Sequence, residues 1–329
     1  MNKIKIDNLI NKIKKLFTDP LERNIALNQI KGLLMSILRF AIIIGVSYVI
    51  ISPIIGMFVN SIASTKDVYN PMMFILPKYP TFEKYQLASF RMDYFPTMGR
   101  DLLYTATLTI IQLVVCSMVG YGFARFNFKF KSILFGCVVV MIVIPSHTIM
   151  LPLYLTFKNF NPLGLMTLFT GEAQNIMGTI APMYIMSVLG CGVRSGLYIY
   201  IFNQFFRGLP KEIEEAAFVD GASVWYTYFR IMLLNSMPAV ITVTVFSIVW
   251  QFNDVFYANL FLISERVVIS KRIASLAGVI ANQDKILNVT IQQQYTNAGI
   301  ILVILPVIII YLLLQKQFVE GVERSGIVG

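Results

Sequence analysis

Long apolar runs alternate with short polar punctuation along this chain. Six of the runs reach the roughly twenty residues a helix needs to cross about 30 Å of hydrocarbon. They cover residues 34–55, 102–123, 132–157, 182–205, 238–263 and 298–314. Backbone groups in lipid have no water to bond, so each run is expected to be helical. The fold class that follows is all-α, a polytopic membrane protein with six transmembrane helices. Residues 34–315 form the membrane domain, 1–33 a basic leader and 316–329 a tail.

The segment between the fourth and fifth runs, 207–235, breaks the pattern by being charged, aromatic and long. Pro210 suits the start of a helix, where its missing N–H is an orphan in any case. Glu212, Glu214 and Glu215 follow, and carboxylates favour a helix N-terminus. Ile213, Ala216 and Ala217 recur at helical spacing, and the alanines leave a low face for another surface to approach. Asp220-Gly221 is read as the end of this helix, because glycine tolerates a positive φ. A second short helix is expected over 222–230, carrying Trp225, Tyr226 and Phe229. Two short helices about a glycine hinge look like a docking element.

Charge fixes the expected orientation. Lys3, Lys5, Lys12, Lys14, Lys15, Arg23, Lys31 and Arg39 crowd the N-terminal end, and Arg125, Lys129 and Lys131 lie between the second and third runs. Both segments read as cytoplasmic under the positive-inside rule. Six crossings then leave 207–235 and the C-terminus on the cytoplasmic side of the membrane. Apolar positions 6, 9, 10, 13, 16 and 17 of the leader repeat at helical spacing, which suits a basic helix lying on lipid as well as it suits a loose tail. The first run is expected to serve as an uncleaved anchor. Segments 63–100 and 265–296 are expected to be external loops, the former irregular and offering a partner contact, the latter polar.

Composition agrees. Of 329 residues, 57% are hydrophobic and 13% charged, with a mean hydropathy of +0.70. The formal net charge of +10 is read as a cytoplasmic cation excess rather than as a nucleic-acid footprint. Cys116, Cys137 and Cys191 lie in or beside apolar runs without metal spacing and are read as small buried thiols. His147 is the single histidine. A polar side chain facing a cavity or a neighbouring helix is favoured for it over proton shuttling. Nothing points to a catalytic residue, a metal site or a cofactor. No Gly-x-x-x-x-Gly-Lys-Ser/Thr cradle occurs in the sequence, so any ATP must bind another subunit.

Polar groups at depth are costly and usually face a cavity or a partner helix. Gln251, Asn253 and Asp254 interrupt the fifth run beside Trp250, whose ring offers an amphipathic surface. Trp250, Asn253 and Asp254 are therefore candidates for lining or gating a path. Hydrogen bonding between helices, fixing their packing, is the competing role. Pro145 and Pro152 are expected to break the third run near a gate.

Glu215-Ala216-Ala217 followed by Asp220-Gly221-Ala222 resembles the EAA loop of bacterial ABC importer permeases. Residues 205–210 through Ile231 and Leu233 are similar to the maltose-type, carbohydrate-uptake branch. So are Gly120-Tyr121-Gly122-Phe123-Ala124-Arg125-Phe126, Ile144-Pro145-Ser146, Leu151-Pro152-Leu153-Tyr154, Trp250 with Asn253-Asp254, and Phe318-Val319-Glu320-Gly321. Leu234 stands where that family usually has a proline near the end of the loop.

The resemblance implies the type I ABC importer permease fold and translocation of a sugar or oligosaccharide by alternating access. It implies a cytoplasmic ATP-binding subunit dimer, a second homologous permease and an extracellular solute-binding lipoprotein as partners. The helix around Glu215 to Asp220 would seat in the ATPase, with Glu215 a charge anchor to a partner residue or to this chain's own backbone. Ala216 and Ala217 would pack closely, and Gly221 would set the angle. The alternatives are a permease for another solute class, such as polyamine or glycerol phosphate, and a secondary transporter. The latter usually carries coupling-ion carboxylates within its spans, and Asp254 is the one such candidate here.

Overall fold

The computed structural model describes residues 20–67, 77–264 and 266–326. The leader's expected surface helix therefore lies outside the described residues, apart from 20–33. Those open a helix, α1 (Pro20–Ile62), that continues through the first apolar run.

Beyond it come α2 (Glu83–Arg91), α3 (Tyr94–Arg125), α4 (Lys131–Val143) and α5 (Met150–Lys158), then α6 (Ala181–Val188), α7 (Ser195–Gly208) and α8 (Glu212–Val219). The chain closes with α9 (Met237–Phe252), α10 (Ile269–Gln283) and α11 (Val289–Gly326). Each of the six expected runs is helical, but only three are unbroken. Among the described residues, Leu27–Ile62, Tyr94–Arg125 and Val289–Leu313 are long and apolar enough to cross a membrane alone, and the total reaches five if each bent pair counts as one span.

Three of the runs are interrupted, and the break in the fourth corrects the sequence reading. The third run bends by 106° between α4 and the turn leading into α5, at Pro145, which cannot continue a helix through its own N–H. The fourth run, expected to be one rod, breaks between α6 and α7, where Gly190 (φ 69) and Arg194 (φ 58) adopt left-handed backbone. The fifth run ends as a continuous helix at Phe252 and resumes as the short helix Phe256–Leu260. The two segments expected to be external hold helices. The first holds α2 and the start of α3, and the second holds α10.

Three buried clusters hold the bundle. One gathers Tyr104, Leu108, Met183, Met186 and Phe261 around α3 and α6. A second joins Cys116, Tyr198, Phe202, Phe206, Tyr228 and Val243, where α3, α7 and α9 meet the segment after α8. The third packs α2, α10 and α11 through Met92, Leu276, Ile280, Tyr295 and Ala298. Helices in lipid associate by close packing at small residues, and Gly120 shows why. A Cβ there would lie 2.6 Å from Phe202 Cβ and 3.0 Å from the Asn203 backbone nitrogen. In the third cluster, Arg91 binds Asp284 at 2.5 Å, tying α2 to the end of α10.

Candidate functional site: a docking loop and a cavity at three helix breaks

α8 follows the last turn of α7 almost directly, after Leu209 and Pro210. Its first turn carries Glu212, Glu214 and Glu215. Glu214 turns inward. Its Oε1 accepts a hydrogen bond of 2.5 Å from the Tyr121 hydroxyl, and its Oε2 lies 2.7 Å from Arg125 Nε. That Nε–H is not aimed at the oxygen, so the contact is an ion pair without a hydrogen bond. Arg125 Nη2 also donates to the Leu209 carbonyl at 2.9 Å. The end of α3 thus grips both α8 and the strand of chain entering it.

The sequence-derived residues divide between the two faces of α8. Ala217 is buried against the bundle, whereas Glu215, Ala216 and Asp220 are exposed. Ala216 and Ala217 were expected together on one open face that a partner approaches; Ala217 instead packs inward with Ile213 and Glu214, and Ala216 alone of the two stays open. Phe218 and Val219 join the exposed set, with Val219 87% exposed. Gly221 takes φ 81, and its N–H bonds to Phe218 O while that of Ala222 bonds to Ala217 O, a glycine-type helix stop.

The second short helix is expected over 222–230 and differs in form. Ser223 caps it, its Oγ accepting from Tyr226 N. It begins at Val224, runs through a π-helical stretch over Thr227–Met232 and ends at Asn235. A 77° bend then leads into α9, centred on Ser236 and followed by Pro238, so the turn forms without a proline at Leu234.

Trp250, Asn253 and Asp254 come together at the other end of α9, where they line a cavity of about 520 Å³. Pro145 and His147, from the bend between α4 and α5, face them, and Arg194 enters from the break between α6 and α7. The cavity therefore sits where three interrupted helices meet. The Arg194 guanidinium lies 4.2 Å from the centroid of the Trp250 ring, within cation–π range. His147 packs against Phe256, centroids 4.5 Å apart. Asn253 Nδ2 donates to Val249 O on its own helix, and Asp254 Oδ1 accepts from Tyr257 N.

The hydrogen bonding between helices falls to Gln251 instead, which turns inward to Gln112. Sequence reading missed Arg194, Gln112 and the inward role of Glu214. A lone arginine inside the fourth apolar run was the available signal for Arg194.

Comparison with known proteins decides what this arrangement belongs to. Residues 113–324 match the family profile of the binding-protein-dependent transport system inner membrane component. The chain belongs to that family. The permease matches the arabinooligosaccharides transport system permease protein AraQ of Bacillus subtilis at 28% identity, covering 77% of this chain and 81% of AraQ. It matches the trehalose transport system permease protein SugB of Mycobacterium tuberculosis at 26% identity, over 84% and 92% of the two chains. Among solved structures, a bacterial ABC transporter that imports the acidic polysaccharide alginate superposes with a TM-score of 0.69. It is 19% identical, with 88% of this permease and 97% of that chain covered. The likeness supports the all-α permease fold. Among the described residues no group of histidine, cysteine, aspartate and glutamate is placed to hold a metal.

Proposed function

We propose that this permease is one membrane subunit of an ATP-driven importer for a carbohydrate, and that Glu215, Ala216, Ala217, Asp220 and Gly221 couple it to a separate ATPase. The observation that carries the reading is the two-sidedness of α8. Its inner face is fastened by Tyr121 and Arg125 through Glu214. Its outer face leaves Glu215, Ala216, Phe218 and Val219 open for a partner. A rigidly mounted helix passes a rigid-body displacement on, where a loose loop would absorb it. Ala217 secures the packing of that helix and Gly221 sets the direction of the exit.

α7 enters the loop and α9 leaves it, and the far ends of both reach the cavity. Closure of an ATPase dimer would shift these rods and expose the cavity to alternate sides. Trp250, Asn253 and Asp254 would line the path. An aromatic face with hydrogen-bonding neighbours suits sugar rings. A polyamine-like cargo would need several carboxylates, and Asp254 is the one lining this cavity among the described residues. The names of AraQ and SugB point the same way. The expected partners are an ATP-binding subunit dimer, a second permease and an extracellular binding protein. The N- and C-termini would lie in the cytoplasm.

Glu215→Lys and Gly221→Asp test the coupling role in the importer reassembled with its ATPase in lipid vesicles. Both are expected to insert and to abolish ATP-driven uptake. Wild-type uptake by the double variant would remove the docking role.

A further inference from the structure

Arg194 occupies an expensive position. It is an arginine inside an apolar run, held in left-handed backbone (φ 58), a strain that persists only where the surroundings enforce it. Among the described residues the ion pairs are Arg91–Asp284 and Arg125–Glu214, so no carboxylate pairs directly with Arg194, although Asp254 lines the same cavity. Its guanidinium lies over Trp250 at the cavity wall.

What enforces this geometry is Gln112 of α3, wholly buried. Its Nε2 donates to the Val193 carbonyl at 2.9 Å and to Ser195 Oγ at 3.2 Å, the residues on either side of Arg194. Its Oε1 accepts from Ser247 Oγ at 2.8 Å and from Gln251 Nε2 at 3.1 Å, both on α9. One amide thus satisfies a carbonyl freed by the helix break and ties that break to the helix carrying Trp250. Gly192 makes room for it, since a Cβ there would meet Gln112 Nε2 at 2.8 Å and Ser187 Oγ at 2.7 Å.

We propose that Arg194 contacts the transported solute and that Gln112 is the positioning residue that aims it into the cavity. The solute it suits is rich in oxygen acceptors, because a planar guanidinium takes vicinal hydroxyls or a carboxylate in a two-pronged bond. The inference rests on the cavity's being part of the path, as proposed above, and adds a fixed positive charge to that path.

The test needs no knowledge of the cargo. In the assembled importer, with Cys116, Cys137 and Cys191 replaced by alanine, Asn253→Cys is labelled with two small methanethiosulfonates. One reagent carries a sulfonate and the other a trimethylammonium group. Each rate is measured without nucleotide and with ATP and vanadate. If the cavity lies on the path, labelling changes between the two states by roughly tenfold, as for a site that opens and closes. Unchanged labelling overturns the path and this inference together.

If labelling does change, the charge preference separates the two. With Arg194 intact the anionic reagent is expected to react about fivefold faster relative to the cationic one than in an Arg194→Gln background, a difference of about 1 kcal/mol of charge interaction. Gln112→Leu is expected to reduce that preference as Arg194→Gln does, and Arg194→Lys to retain it. An unchanged preference in Arg194→Gln overturns the role of Arg194 while leaving the path standing. An unchanged preference in Gln112→Leu, with Arg194→Gln showing the loss, overturns the positioning role. Copurification of the ATPase with each variant, checked alongside, confirms an assembled complex in every comparison.

Discussion

Glu214 and Glu215 are sequence neighbours with opposite surroundings. Glu214 is buried between Tyr121 and Arg125, and Glu215 faces outward. Removing one partner of a buried pair strands the other charge, at about 3–5 kcal/mol. Glu214→Ala is therefore expected to lower the permease's unfolding midpoint in detergent markedly. Glu215→Ala, a surface change, is expected to stay within about 0.5 kcal/mol of wild type while weakening ATPase binding. Equal losses of stability in the two variants would contradict the division. Helical spacing placed Ile213, Ala216 and Ala217 on one face, which their small size suggested a partner would approach. Ile213 and Ala217 turn inward instead because the strongest inward anchor beside them is the Glu214 carboxylate, legible only with Arg125 and Tyr121 in view. Trp250, Asn253 and Asp254 were visible in the sequence as polar interruptions, but their neighbour Arg194 lies more than fifty residues away and meets them only in three dimensions.

The helices differ in how far they could be read. Apolar runs of spanning length were plain, since hydropathy averages over many residues. The same averaging hid the break between α6 and α7, where Gly190 and Arg194 turn the chain within a run that stays apolar overall. Pro145 announced its own bend, and that one was expected. Packing between helices was not legible at all, because it depends on which small residues face which backbone. Gly120→Ala is expected to push α3 from α7, with an overpacking cost of about 1–3 kcal/mol. Thermal unfolding of the purified protein measures it, and a wild-type midpoint would show that the two helices do not approach as closely as described.

α2 offers a pH test outside the spans. Lys84 is 2% exposed, its ammonium donates to the Ala63 carbonyl, and burial holds its pKa below the ordinary lysine value. Between the lowered and the ordinary value the unfolded chain binds the extra proton, so stability gains with rising pH there. Lys84→Met is expected to flatten that alkaline gain, as seen in unfolding midpoints compared across the window. An identical pH dependence in both proteins would contradict the burial.

At the scale of the whole molecule, the proposed docking loop and the cavity sit at opposite ends of the same two helices, α7 and α9. α3 fastens both ends, through Arg125 and Tyr121 to α8 and through Gln112 to the break before α7. α1 contributes a long apolar surface with side chains such as Leu33, Phe40, Ile43 and Val49 more than 60% exposed, as lipid contact permits. The family was recognisable from the ordered motifs. The route by which motion would pass from loop to cavity was not, since the fastening residues are scattered and individually unremarkable.

The central claim is that the outer face of α8 meets an ATPase on the cytoplasmic side. Ala216→Cys, fitted with a short photoreactive cross-linker in the assembled importer, tests it directly, with Leu163→Cys, 99% exposed in the connection between the third and fourth runs, as the control. Cross-linking of position 216 to the ATP-binding subunit, absent at position 163, is the expected result. Labelling of position 216 by an impermeant reagent from outside intact cells, with no cross-link to the ATPase, would contradict it.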